Sequence, residues 1–150
     1  MKKITSALIL IVVIIACSKD KFESKPSLKV TSLNKEVVPR GDSLTVTFEF
    51  TDKEGDVDSA LFLVRRRLNV KGDTTKSPER FMIPSFPDKN QGEIQVTLSN
   101  SGYLSRGIQS IRIPGSGTDS EPDTMKLSFF LADQKGNRSD TAVANVIVIR

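Results

Sequence analysis

Hydrophobic and polar residues alternate with a period of two along most of the chain beyond residue 27. The clearest run is 43–51, where Leu44, Val46, Phe48 and Phe50 alternate with Ser43, Thr45, Thr47, Glu49 and Thr51. Successive side chains of a strand point to opposite faces, so this run predicts a strand with one face in a core. Ile94, Val96 and Leu98 alternate with Glu93, Gln95, Thr97 and Ser99, and Met125, Leu127, Phe129 and Leu131 with Lys126 and Ser128. Residues 28–31 read as a short first strand. Residues 58–70 read as a longer one, with Phe62, Val64 and Leu68 on one face and Leu61 and Leu63 on the other. The last run, 141–149, is apolar on both faces, which suits a strand inside a sheet rather than at its edge. Gly41-Asp42 and Asp133-Gln134-Lys135-Gly136-Asn137 are turn signals. No stretch carries a helical period. Residues 102–122 read as irregular, ending in a loop around Gly115-Ser116-Gly117 that lacks the Lys-Ser/Thr of a phosphate-binding loop. About seven short strands in a little over 120 residues predict an all-β domain, a sandwich or a barrel.

The first residues follow another rule. Met1-Lys2-Lys3 is basic, Ala7 to Ala16 is an unbroken apolar run of ten, and Cys17-Ser18-Lys19-Asp20 turns polar. This is the layout of a secretory signal peptide. Counted from Ile4, the run reaches 13 residues, short of the roughly 20 that a membrane-spanning helix needs. Ile14-Ile15-Ala16-Cys17 resembles the lipobox of bacterial lipoproteins, with Ile15 a less usual residue at its position. The resemblance implies cleavage before Cys17 and acylation of its sulfur and amine. Two or three acyl chains would hold the protein on a membrane without a transmembrane segment.

With residues 1–16 removed, 134 residues remain, enough for one domain. Taking the two signal lysines from 22 basic residues leaves 20 against 18 acids, a balance of +2. So slight an excess gives little reason to expect a nucleic-acid partner. The sequence has no histidine, and Cys17 is its one cysteine. A histidine-based triad is therefore excluded, and once Cys17 is acylated no thiol remains for disulfides or metal binding.

Residues 17–26 read as the lipidated cysteine and a polar tether, and 27–150 as the folded domain. Two stretches of that domain, Phe48-Glu49-Phe50-Thr51-Asp52-Lys53-Glu54-Gly55-Asp56 and Phe130-Leu131-Ala132-Asp133-Gln134-Lys135-Gly136-Asn137-Arg138-Ser139-Asp140, resemble immunoglobulin-like and fibronectin-III-like modules of bacterial envelope proteins. The first is similar to a second strand running into an acidic loop, the second to a last-hairpin turn. The resemblance implies an antiparallel immunoglobulin-like β-sandwich, without the Cys…Trp…Cys signature of antibody domains.

Three groups of residues are candidates for chemistry. Asp52, Glu54, Asp56 and Asp58 crowd into one loop, and hard cations such as Ca²⁺ take carboxylate and carbonyl oxygens. Gly55 is misplaced for an EF-hand, and a solvated acidic turn is the plain reading. Arg65-Arg66-Arg67 lies in a strand and could meet an anion, or form an exposed basic face. Alternation puts Arg66 with Phe62, Val64 and Leu68, which needs a strand end or a bulge to let it reach water. Asp followed by Ser or Thr and then Ala, Ile, Leu, Val, Met or Thr occurs five times, at Ser43, Ser59, Thr74, Thr124 and Thr141. These triplets resemble O-glycosylation acceptors of some Gram-negative envelope proteins, although an Asp turn before a β-branched residue is also how strands begin.

The expected protein is a lipid-anchored envelope lipoprotein, most simply of the outer membrane, acting as a non-catalytic binding or scaffold module for an envelope protein or extracellular ligand. No cofactor is expected apart from a candidate Ca²⁺. The alternatives are a calcium-stabilised spacer and a small hydrolase built on two carboxylates. Lys19-Asp20 resembles in part the acidic signals that route lipoproteins to the cell surface, but Lys21 follows, so both membrane faces are carried forward.

Overall fold

A computed structural model describes residues 24–73 and 76–150. The signal segment, Cys17, most of the tether and Thr74 lie outside the described residues. The regular structure of the described residues is almost entirely β, in two sheets joined by long irregular connections. β1 (Ser27–Leu33), β3 (Ser43–Thr51) and β6 (Gln91–Ser99) form one sheet in the order β1-β3-β6. The other holds β2 (Val37–Val38), β4 (Ala60–Arg67), β5 (Glu79–Met82), β7 (Asp123–Ala132) and β8 (Ala142–Val148), in the order β2-β8-β7-β4-β5. Every pairing is antiparallel except that of β2 with β8. No helix among the described residues is long and apolar enough to cross a membrane.

The alternation read from the sequence decides which faces meet. Leu44, Val46, Phe48 and Phe50 of β3 are buried, and so are Met125, Leu127, Phe129 and Leu131 of β7. The two rows face each other across the core, where the Phe48 and Phe129 rings meet edge to face with centroids 4.8 Å apart. On the outer face of the small sheet, polar side chains line up in register, with Thr45 beside Thr97 and Thr47 beside Gln95. The strands expected at 43–51, 93–99 and 125–131 are all present, each within two residues of its expected bounds.

Elsewhere the structure differs from the expectation. Packing begins before residue 27, because Pro26 is buried and Lys25 pairs with Asp140. β8 is flanked by β7 along its length, but on its other side only by the two residues of β2, where Pro39 follows without an N–H to extend the pairing. Two of its outward residues, Val143 and Ile147, are exposed. β5 has no clear sequence signal, since Phe81 is half-buried and Met82 is exposed. Residues 102–122 are more ordered than expected. A single π-helical turn, Asn100–Leu104, follows β6, Leu104 and Ile108 enter the core, and Arg112 bridges Ser120 around Gly115–Gly117. Asn100 is the pin of this region. Its buried amide donates to the carbonyls of Val38, Pro39 and Ile149, at 3.0–3.2 Å.

Candidate functional site

The two ends of the sandwich carry different chemistry. At one end the β3–β4 loop (52–59) meets the β7–β8 turn (133–141). Asp52 leaves β3 fully buried, its Oδ2 accepting the N–H of Gly55 at 2.7 Å and of Asp56 at 3.2 Å. The loop can fold back on its own carboxylate because Gly55 takes a φ of +78° and lies against the backbone of Asp88 and Lys89. A Cβ there would sit 2.8 Å from Lys89 N. Gly55→Ala should therefore cost about 2 kcal/mol, from left-handed strain and a backbone clash. Gly136→Ala has an equally positive φ but open space around it, and should cost less. Urea unfolding of both variants against the parent measures the difference.

The partner turn is built on Asp133, also buried. Its Oδ1 accepts the Asn137 N–H and its Oδ2 the Asn137 side-chain amide, both at 2.7 Å, which closes the turn foreseen around Gly136. The Gln134 N–H donates to the Asp56 carbonyl at 3.1 Å and joins the two loops. As a result one carboxylate oxygen from each of Asp52, Asp56 and Asp133 lies within 4.8 Å of the other two. Burial pushes the Asp52 carboxyl up from its ordinary value, the two N–H donors oppose this, and the neighbouring Asp56 charge adds to it.

Of the four acids expected to share a site, the structure brings together Asp52 and Asp56. Glu54 lies on the rim, with Lys135 Nζ 4.0 Å away, and Asp58 turns aside to accept from Gln134 Nε2 at 2.6 Å. That hydrogen bond holds the Asp58 carboxyl below its ordinary value. A solvated acidic turn does not describe this loop, since its first carboxylate has no solvent access. Asp133 was not a sequence candidate: it is far away in the chain, and its Asp-Gln-Lys-Gly-Asn setting signals only a turn.

The arginine triplet divides differently from the expectation. β4 pairs with β7 in unbroken register from Ala60 to Arg67, without a bulge. Its inward residues are Leu61, Leu63, Arg65 and Arg67, while Phe62 and Val64 lie half-buried on the outer face and Arg66 is exposed beside them. Phe62 is held there by stacking on Phe130, with centroids 4.8 Å apart. Arg66 therefore reaches water directly, and the other two arginines are the buried ones. Arg65 donates to the carbonyls of Tyr103, Leu104 and Arg106 and pairs with Glu79. Burial pulls its guanidinium below the ordinary value, and the Glu79 carboxylate opposes this. Arg67 donates to the Gln109 carbonyl at 2.7 Å and to Asp123 Oδ1 at 3.3 Å. Asp123 Oδ2 in turn lies 2.8 Å from Arg150 Nε, a Coulombic contact off the line of the N–H bond. Both buried guanidiniums are thus committed to internal partners, leaving Arg66 as the member open to a ligand.

The described glycosylation candidates mark strand starts. Ser43 opens β3, Ser59 precedes β4, Thr124 is the second residue of β7, and Thr141 precedes β8. Thr141 is exposed and the other three are half-buried. At the end opposite the acids, a hollow of about 260 Å³ is lined by Arg40, Asn100, Ser105, Ser110, Ser120 and Arg150.

No protein-family model matches the chain, and a search of curated proteins finds no match. Among solved structures, the sporulation control protein Spo0M of Bacillus subtilis is similar over 85% of this chain and 51% of its own, at 16% identity and a TM-score of 0.45. The alkylpurine DNA glycosylase AlkC of Pseudomonas fluorescens is similar over 97% of this chain and 34% of its own, at 10% identity and a TM-score of 0.47. A Niemann-Pick type C2 protein from the Japanese carpenter ant is similar over 85% of this chain and 98% of its own, at 10% identity and a TM-score of 0.43. This chain thus spans about half the length of the Bacillus protein and a third of the glycosylase. With TM-scores below 0.5 and identities of 10–16%, these likenesses carry neither a fold family nor an activity over to this chain.

Proposed function

We propose that this protein is an outer-membrane lipoprotein, anchored through acylated Cys17, whose immunoglobulin-like sandwich is a non-catalytic binding or scaffold module. The observation that carries the reading is the sequence Ile14-Ile15-Ala16-Cys17 behind a ten-residue apolar run, with the single cysteine of the chain at the one position the pattern requires. The strand order, with β1-β3-β6 packed on β2-β8-β7-β4-β5, supports the immunoglobulin-like assignment. The non-catalytic reading is supported by how the ionisable groups are used. The Asp52 carboxylate is closed to solvent and so cannot meet a glycoside, and the buried arginines hold carboxylates and carbonyls within the domain.

The anchor reading also implies an orientation for the module. Lys25 enters beside Asp140, at the end that carries the acidic cluster. The hollow around Arg40, Ser110 and Arg150, and the loop over 105–122, lie at the far end. A partner envelope protein or extracellular ligand is met there, by loops held on a rigid scaffold.

Metabolic labelling with a palmitate analogue tests the anchor. The expected result is label on the parent protein, none on Cys17→Ser, and accumulation of the variant as the longer precursor. An unlabelled parent that still fractionates with membranes would overturn the reading. Protease treatment of intact cells then assigns the membrane face.

A further inference from the structure

Asp52, Asp56 and Asp133 carry more than their proximity. Asp52 is fully buried, and its Oδ1 accepts no hydrogen bond among the described residues. Asp56 Oδ1 is likewise closed to solvent without a donor. A buried carboxylate oxygen lacking both water and a donor is among the costliest polar groups to leave unmatched. Lys135 does not answer this need. It is mostly exposed, and it approaches Asp56 from the other oxygen, Oδ2, at 3.7 Å. The donors that do reach the cluster, from Gly55, Asp56 and Asn137, bind Asp52 Oδ2 and the two Asp133 oxygens.

The geometry suits a hard cation. All three donors are carboxylate oxygens, the ligand type that calcium takes. Two oxygens on one calcium, each at about 2.4 Å, stand no farther apart than about 4.8 Å. The three oxygens lie within that spacing of one another. Water, or Glu54 at the rim with its own unpaired Oε2, can complete the coordination shell. Asp52 follows β3 of the small sheet, while Asp133 follows β7 of the large one. An ion here would join the two sheets at the end where the chain enters.

We propose that Asp52, Asp56 and Asp133 form a calcium site that clamps the two sheets together at the tether end of the sandwich. It differs from the four-acid loop read in the sequence by gaining Asp133, losing Asp58 and moving Glu54 from ligand to rim. It does not depend on acylation of Cys17.

The test uses the full-length protein in detergent, stripped with a chelator and titrated with calcium chloride, with magnesium chloride in parallel. The expected result is one calcium site by calorimetry and a melting temperature that climbs by several degrees at millimolar calcium, because a ligand of the folded state stabilises it by mass action. Magnesium, which demands tighter octahedral geometry and sheds water reluctantly, should do less. Asp133→Asn and Asp56→Asn should each weaken calcium binding at least about tenfold, as loss of a charged ligand does. Asp58→Asn and Cys17→Ser should bind calcium like the parent, the latter separating this site from the lipid anchor. If Asp133→Asn does not fold, the half-buried Asp56→Asn decides. No binding heat and no shift in melting at millimolar calcium would overturn the site and point to a carboxyl pair sharing a proton. A shift of equal size in the parent and in Asp56→Asn would overturn it too, as general charge screening.

Discussion

Phe129→Ala is expected to remove about 3–5 kcal/mol of stability, the range for deleting a large aromatic side chain from a packed core. Phe129 has no solvent exposure, stands in the middle of β7, and meets Phe48 of the opposite sheet edge to face. Truncation removes the ring's transfer energy and leaves a cavity between two sheets that cannot close on it, because each is held in register by its own ladder. A domain of this size has a total stability of about 5–15 kcal/mol, so the variant should lose about a fifth or more of it. Phe48→Ala should cost a similar amount. The double variant should cost less than the sum, because the two rings share one cavity and one contact. Phe62→Ala is the internal comparison. Its stacked pair with Phe130 is as close, but it lies half-buried on the outer face, and about 1 kcal/mol is expected. Urea denaturation of the four variants measures all of this. Equal losses for Phe62→Ala and Phe129→Ala would contradict the assignment of inner and outer faces.

The second large effect is expected at the other end of the core. Asp123→Ala should cost about 3 kcal/mol, because it leaves two guanidiniums buried without their shared carboxylate. The Asp123 side chain is 1% exposed and those of Arg67 and Arg150 are 9% exposed, so water cannot replace the lost acceptor. The figure sits at the low end for breaking a buried pair for a specific reason. Arg67 keeps the Gln109 carbonyl and has Asp73 at 4.0 Å, and Arg150 keeps the carbonyls of Ser105 and Ile108. Asp140→Ala breaks the pair with Lys25, whose partners are 50% and 90% exposed, and should cost less than about 1 kcal/mol. Comparison of denaturation midpoints would show whether burial, rather than the mere presence of an ion pair, sets the cost. A negligible loss at Asp123 would mean that the carbonyls alone satisfy both arginines.

Legibility in the sequence followed burial. β3 and β6 each turn one face to the core and the other to water, so their period of two is unbroken, and β7 keeps it except at Phe130, which stacks outward on Phe62. β5 has no fully buried residue and β2 is only two residues long, so neither leaves a pattern to read. β4 is the instructive case. Leu61, Leu63, Phe62 and Val64 are all apolar, and periodicity cannot say which pair faces inward. The core took Leu61 and Leu63 because the same face lets Arg65 and Arg67 find carboxylates and free carbonyls. Those acceptors come from Glu79, Asp123 and the segment 103–109, none of them adjacent in the chain.

The amino-acid sequence by itself determined the all-β class, the principal strands, the turn at Gly136 and the lipobox expectation. Each of these rests on neighbours within a few residues, where side-chain alternation, a glycine or an apolar run acts locally. The tertiary structure alone decided that Asp133 joins Asp52 and Asp56, that Asp58 turns away, and that two of three consecutive arginines are buried. Those outcomes depend on which loops meet when two sheets pack. Electrostatic partnership acts over a few ångströms of space, however many residues lie between.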